Sequence, residues 1–167
     1  MSQCRHKMNT YWEKHSQNGD VTEMLLDSKG AEISDIEIKE IMNYLPDYKE
    51  KDVLELGAGI GRYTTKLAEK AKSVIAVDFM KNFIDKNKET NGHNKNIQFV
   101  CKNVLELELE TNSLDLIFSN WLLMYLDDHE VSILFHNMLK WLKPTGRLFY
   151  RESCYKQSDV AEPSNTS

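Results

Sequence analysis

The 167-residue sequence predicts a doubly wound α/β fold on a mainly parallel sheet. Three observations carry that prediction. Short apolar runs of strand length alternate with segments whose apolar residues repeat at helical spacing. The first run, Val53-Leu54-Glu55-Leu56, empties into a glycine-rich turn, Gly57-Ala58-Gly59-Ile60-Gly61. The second, Val74-Ile75-Ala76-Val77, is β-branched at three of four positions and ends in an acid, Asp78. A continuous β-branched run is what a parallel strand buried on both faces requires.

The elements follow in order. Residues 1–30 are polar apart from Tyr11-Trp12 and Met24-Leu25-Leu26. From Ser34 to Leu45 apolar residues fall at 38, 41, 42 and 45, with Ser34 or Asp35 placed to cap a helix and Pro46 to stop it. Residues 1–46 therefore read as a helical lid or cap, and 47–155 as the core. Tyr63, Leu67, Ala68 and Ala71 share one helical face. Residues 80–90 read as a polar helix broken at Asn91-Gly92. Ile97–Cys101 and Leu114–Phe118 read as the third and fourth strands. Asp127 to Leu142 carries Val131, Leu134, Phe135, Met138, Leu139 and Leu142 on one helical face. Asp127 and Glu130 have the spacing of a capping box, and Pro144 and Gly146 end the helix. Arg147–Tyr150 is the fifth strand, and the tail, residues 156–167, has too few apolar side chains to pack and is expected to be disordered.

Composition narrows the function. A net charge of −5 argues against a nucleic-acid surface. Mean hydropathy is −0.54 and no apolar run approaches the ~20 residues of a membrane span. The first residues, MSQCRHKMNTYWEKHS, lack the apolar centre of a secretory signal. Three widely spaced cysteines, Cys4, Cys101 and Cys154, fit a reduced cytoplasmic interior and no metal site or disulfide framework. Cys101, in an apolar run, reads as core.

Glycines let a backbone turn sharply and approach a ligand closely. In open α/β sheets the ligand lies outside the carboxyl ends of the strands. The spacing here is GxGxG, with Arg62 where a nicotinamide fingerprint would place its third glycine. Asp78, 21 residues beyond Gly57, stands where an acid can hold both hydroxyls of a ribose. Strand three ends at Lys102-Asn103-Val104 and strand four at Ser119-Asn120-Trp121, on the same rim. Asn103 can bond a base edge, Val104 can pack on its face, and Asn120 offers a donor and an acceptor.

These residues carry a resemblance. Glu55-Leu56-Gly57-Ala58-Gly59 with Asp78 is similar to the cofactor site of class I, Rossmann-like methyltransferases that use S-adenosylmethionine. Tyr11-Trp12-x-x-His15-Ser16, Met24-Leu25-Leu26-Asp27-Ser28, Val53 to Arg62, Asn91-Gly92-His93, Ser119 to Leu126 and Arg151-Glu152-Ser153-Cys154 resemble the phosphoethanolamine N-methyltransferases. The likeness is to the first domain of the plant-type two-domain enzymes, from about Tyr11 to Asp159. The resemblance implies cofactor contacts at Gly57, Arg62, Asp78, Asn103, Val104 and Asn120, without a metal. Position 103 departs from the Asp of relatives, an acceptor for the adenine amino group. It also implies that Ser153 and Ser158 help hold the substrate phosphate. Relatives are monomers that continue past the fifth strand, so the chain is expected to be a truncated form. Its fifth strand becomes an open edge that invites self-association.

The implied reaction moves a methyl group from a sulfonium to the nitrogen of phosphoethanolamine, toward phosphocholine and phosphatidylcholine. An ammonium has no lone pair, so a group near the nitrogen must accept a proton or bias its pKa. Tyr125 and Tyr11 are candidates to orient that nitrogen, and each can equally be a packed aromatic. Two other readings stay open: a methyltransferase for another small molecule, and a short form that binds cofactor without turnover.

Overall fold

The computed structural model describes residues 30–152. Helix α1 (Gly30–Tyr44) precedes β1 (Asp52–Leu56), α2 (Arg62–Ala68), β2 (Ser73–Asp78), α3 (Lys81–Asn91) and β3 (Ile97–Cys101). A 3-10 turn (Val104–Glu106), β4 (Leu114–Asn120), a second 3-10 turn (Leu123–Tyr125), α4 (Asp128–Trp141) and β5 (Leu142–Arg151) complete it. The strand order is β3-β2-β1-β4-β5 and all four pairings are parallel. Winding reverses between β1 and β4, so the crevice at their carboxyl ends is the natural ligand position.

Both faces of the sheet are covered. On one, Leu54, Leu56 and Ile117 pack with Leu134, Met138 and Trp141 of α4. On the other, Val53, Val74, Leu116 and Phe118 meet Ile38 and Ile41 of α1 and Tyr63 and Leu67 of α2. β1 is central and its last four residues are buried, which explains why three of them are apolar; the fourth is Glu55. The capping box of α4 forms as its spacing implies: Asp127 accepts from the Glu130 N–H, and the Glu130 side chain accepts from the Asp127 N–H.

Four expectations need correction. α1 begins at Gly30, so Ser34 and Asp35 lie inside the helix and not at its cap. Cys101 is exposed, because β3 is an edge strand whose residues are only partly covered. Leu139 is 69% exposed, while Trp141 is buried in its place. The apolar stripe of α4 is thus wider than the face it buries. The helix stops at Trp141 and Leu142 is already extended, opening β5 earlier than Arg147. Leu142 pairs with Leu114 and Arg147 with Leu116, so residues 143–146 loop out of the ladder. Pro144 requires this, since it lacks an N–H and disfavours helix before it. Among the described residues β5 pairs with β4 alone.

Candidate functional site

The glycine turn leaves β1 at the crevice. Gly57, Gly59 and Gly61 all have positive φ, at 70°, 53° and 92°, a conformation that side chains other than hydrogen resist. The Ala58 N–H donates to the Val77 carbonyl at 2.9 Å, tying the turn to β2. Asp78 is buried at the end of β2, and its two oxygens accept from the N–H groups of Gly59 and Met80, each at 2.9 Å. Burial pushes this carboxyl up to about 6, against the pull of the Met80, Gly59 and Phe79 N–H groups. Each oxygen keeps a second lone pair for a ligand hydroxyl.

A buried polar chain backs the turn. Thr64 Oγ1 donates to Glu55 Oε2 at 2.5 Å, Asn87 Nδ2 donates to Thr64 Oγ1 at 2.9 Å, and Asn91 Nδ2 donates to Asn87 Oδ1 at 2.9 Å. Asn91 Nδ2 also reaches the Gly61 carbonyl at 3.3 Å, so α3 grips the glycine turn directly. Burial pushes Glu55 up to about 8, the Thr64 hydrogen bond lowers it, and the nearby Asp78 charge raises it.

The far side of the rim is ionic. Arg62, whose side chain is 6% exposed, donates from Nε to Ser34 Oγ at 3.0 Å and from Nη2 to Glu37 Oε2 at 2.8 Å. Arg151 Nη1 donates to Glu37 Oε1 at 2.8 Å and to Asn120 Oδ1 at 3.3 Å. Its guanidinium lies 5.0 Å over the Trp121 ring. Glu152 accepts from the Leu122 and Leu123 N–H groups at 2.9 Å, fixing the turn that carries Tyr125. Tyr125 is half-buried and packs on the cluster of Met80 and Phe83, as does Ile60 of the glycine turn.

The structure therefore places Gly57 and Asp78 at the glycine turn and Tyr125 against Met80 and Phe83, and it links Arg62 to Asn120 through Glu37 and Arg151. Asn103 and Val104 stand at the end of β3, two strands from β1. The Asn103 side-chain oxygen is already engaged, accepting from the Leu105 N–H at 3.0 Å. Val104 is buried. Tyr11, Ser153, Ser158 and the tail 156–167 lie outside the described residues, as do Cys4, His15 and Cys154. Reading the sequence missed Glu37, Asn87, Asn91 and Glu152. Asn87 and Asn91 at i, i+4 in a polar helix did carry a signal: both lie on the face defined by Phe83 and Ile84. Glu37 carried none, because its partners come from 25 and 114 residues away. Among the described residues no cluster of three or more His, Cys, Asp or Glu could hold a metal ion, and no helix is long and apolar enough to cross a membrane.

A parallel sheet with this crevice, glycine turn and strand-two acid defines a class, and the sequence comparison agrees. The chain belongs to the methyltransferase-domain family, whose model matches residues 53–146. More particularly, it is 52% identical over 156 residues to a phosphoethanolamine N-methyltransferase of Triticum aestivum, covering 92% of this chain and 31% of that protein. It is 50% identical over 158 residues to phosphoethanolamine N-methyltransferase 1 of Arabidopsis thaliana, covering 93% of this chain and 32% of the relative. Among solved structures, phosphoethanolamine N-methyltransferase 1 of Haemonchus contortus, in complex with phosphoethanolamine and S-adenosylhomocysteine, superposes with a TM-score of 0.89 at 39% identity. That match covers 92% of this chain and 33% of the other. The chain thus spans about a third of the length of the relatives it matches.

Proposed function

We propose that this chain binds S-adenosylmethionine at the glycine turn and methylates the nitrogen of phosphoethanolamine, in the cytoplasm, toward phosphocholine and phosphatidylcholine. The observation that carries the reading is the pairing of the left-handed glycine turn with the Asp78 carboxylate at the switch point of the sheet. The residues fit such a cofactor. A Cβ on Gly57 would occupy the crevice in front of Leu122, 3.5 Å from it, so the glycine leaves room for a close ligand. Ser119 Oγ, at the end of β4, is buried and has no hydrogen-bond partner among the described residues. Similarity to the Haemonchus enzyme, solved with phosphoethanolamine and S-adenosylhomocysteine, supports the substrate.

In this reading Asp78 holds the ribose hydroxyls, Asn103 and Val104 hold the adenine, and Gly57, Arg62 and Asn120 line the rest of the cofactor. The sulfonium supplies an activated methyl group for in-line displacement, so the protein's work is positioning. Tyr125 and Tyr11 orient the amine with its lone pair free, and Ser153 and Ser158 take the phosphate. No metal is required. Self-association through the open edge of β5 belongs to the same reading. Sedimentation velocity should find a dimer or larger species, and a monodisperse monomer removes that part.

Labelled methyl transfer to phosphoethanolamine tests the activity directly. No turnover with intact cofactor binding favours the reading of a short form that holds cofactor only. Asp78→Ala should weaken S-adenosylmethionine binding by about 1.5–3 kcal/mol in calorimetry, the value of hydrogen bonds to a charged group. Unchanged affinity would remove Asp78 from the site.

A further inference from the structure

Arg151 is held in a way that its structural duties do not require. Its Nη1 is spent twice, on Glu37 Oε1 and Asn120 Oδ1. Its planar group lies on the ring of Trp121, a residue at φ 56°. A bulky residue in the left-handed region is an outlier that the surroundings must enforce. Here the Trp121 N–H is pinned to the Arg151 carbonyl at 2.9 Å. The other guanidinium edge, Nε with Nη2, makes no hydrogen bond among the described residues, and the side chain is 38% exposed. That edge is the fork that receives carboxylates and phosphates in two parallel bonds.

The charges beside Arg151 are of both signs. Glu37 is shared between two arginines, so the group of three carries a net +1. Glu40 and Glu152 border the same pocket as Arg151 and Glu37; three backbone N–H groups, of Leu122, Leu123 and Met124, donate to the Glu152 carboxylate without cancelling its charge, so the unbonded guanidinium edge is the cationic group an anion would meet there. The Tyr63 hydroxyl, close enough to Glu37, Arg62 and Arg151 to feel their charges, is buried without a hydrogen-bond partner among the described residues. The place in the fold matters too. Asp78 and Asn103 stand at the ends of β2 and β3, so a cofactor whose adenosine they hold runs toward β4 and β5.

Resting on the methyltransferase reading, we propose that Arg151 is an oxyanion-binding residue of this site, with Glu37 its positioning residue. The oxyanion is either the α-carboxylate of the cofactor or the phosphate monoester of the substrate, which present the same two-oxygen face.

Calorimetry on the full chain distinguishes the two sources. S-adenosylhomocysteine is compared with 5′-methylthioadenosine, which lacks the amino-acid end. Phosphoethanolamine is compared with ethanolamine, both with S-adenosylhomocysteine present. Arg151→Gln should cost about ten-fold or more in affinity for S-adenosylhomocysteine or for phosphoethanolamine, and leave its anion-free counterpart unchanged. Arg151→Lys, which keeps the charge and loses the fork, should recover only part of the loss. Glu37→Gln should show the same selectivity as Arg151→Gln. A purely structural role would weaken each ligand and its counterpart together, and that result, or no effect, overturns the assignment alone. A wild-type chain that binds none of the four ligands overturns the methyltransferase reading and this inference with it.

Discussion

Gly61→Ala is expected to melt at least about 6 °C below the parent and to lose measurable cofactor binding. A Cβ at position 61 would overlap Asn87 Oδ1 and lie 2.5 Å from Asn87 Cγ and 2.6 Å from Asn91 Nδ2. Neither asparagine can yield cheaply, because both are fully buried and each bonds the other. The backbone adds a second cost, since φ is 92° and an L side chain there costs roughly 1–2 kcal/mol. Overpacking adds about 1–3 kcal/mol, and a broken buried hydrogen bond about as much again. The sum, on the order of 3–8 kcal/mol, translates at about 2–4 °C per kcal/mol into a shift of about 6 °C or more. Gly57→Ala is the internal comparison. Its Cβ would meet only the Leu122 side chain at 3.5 Å, an ordinary contact, so its stability loss is the backbone cost alone. Circular-dichroism melts of the two variants decide the matter. If Gly61→Ala melts with Gly57→Ala, the α3 asparagines do not clamp the turn.

The same residues mark how far the sequence could be read. The glycine turn and Asp78 are contiguous signals, each legible where it stands, because the backbone geometry they enable is local. The strands of the sheet were legible for a related reason: β1 and β2 are covered on both faces and are therefore apolar between their end residues, with Glu55 the one exception. Cys101 misled because an edge strand can be apolar without being buried. The ladder from Glu55 through Thr64 to Asn87 and Asn91 was not legible as a site. Two asparagines in a helix of low apolar content look like a solvated face. Only the close approach of α3 to a residue without a side chain brings them inside. The cluster around Glu37 depends on still longer connections, joining α1, the start of α2 and the end of β5. Topology makes those neighbours, and no spacing in the sequence encodes them.

Glu55→Gln is expected to flatten the pH dependence of stability between pH 6 and 8 and to leave the chain more stable than the parent at pH 8. Glu55 is 1% exposed, and the only hydrogen bond to its side chain among the described residues comes from Thr64. Burial pushes its folded-state value up to about 8 from the ordinary 4.5. An unfolded chain releases this proton near 4.5, and the folded chain holds it to about 8. Between those values the native state binds more protons than the unfolded state, so stability falls as pH rises. The contribution is fully present below 4.5 and is lost by about pH 8. Asp78 slopes the same way, but only from its ordinary 3.8 to about 6, so the window above pH 6 isolates Glu55. At 1.36 kcal/mol per unit, two pH units carry on the order of 2 kcal/mol. Glutamine has no proton to lose, and its amide can still take up the Thr64 hydroxyl. Urea unfolding of both chains at half-unit steps measures the slope. A parent whose stability is level from pH 6 to 8, or a Glu55→Gln chain that keeps the parent's slope, would mean that the buried carboxyl is already ionised at neutral pH.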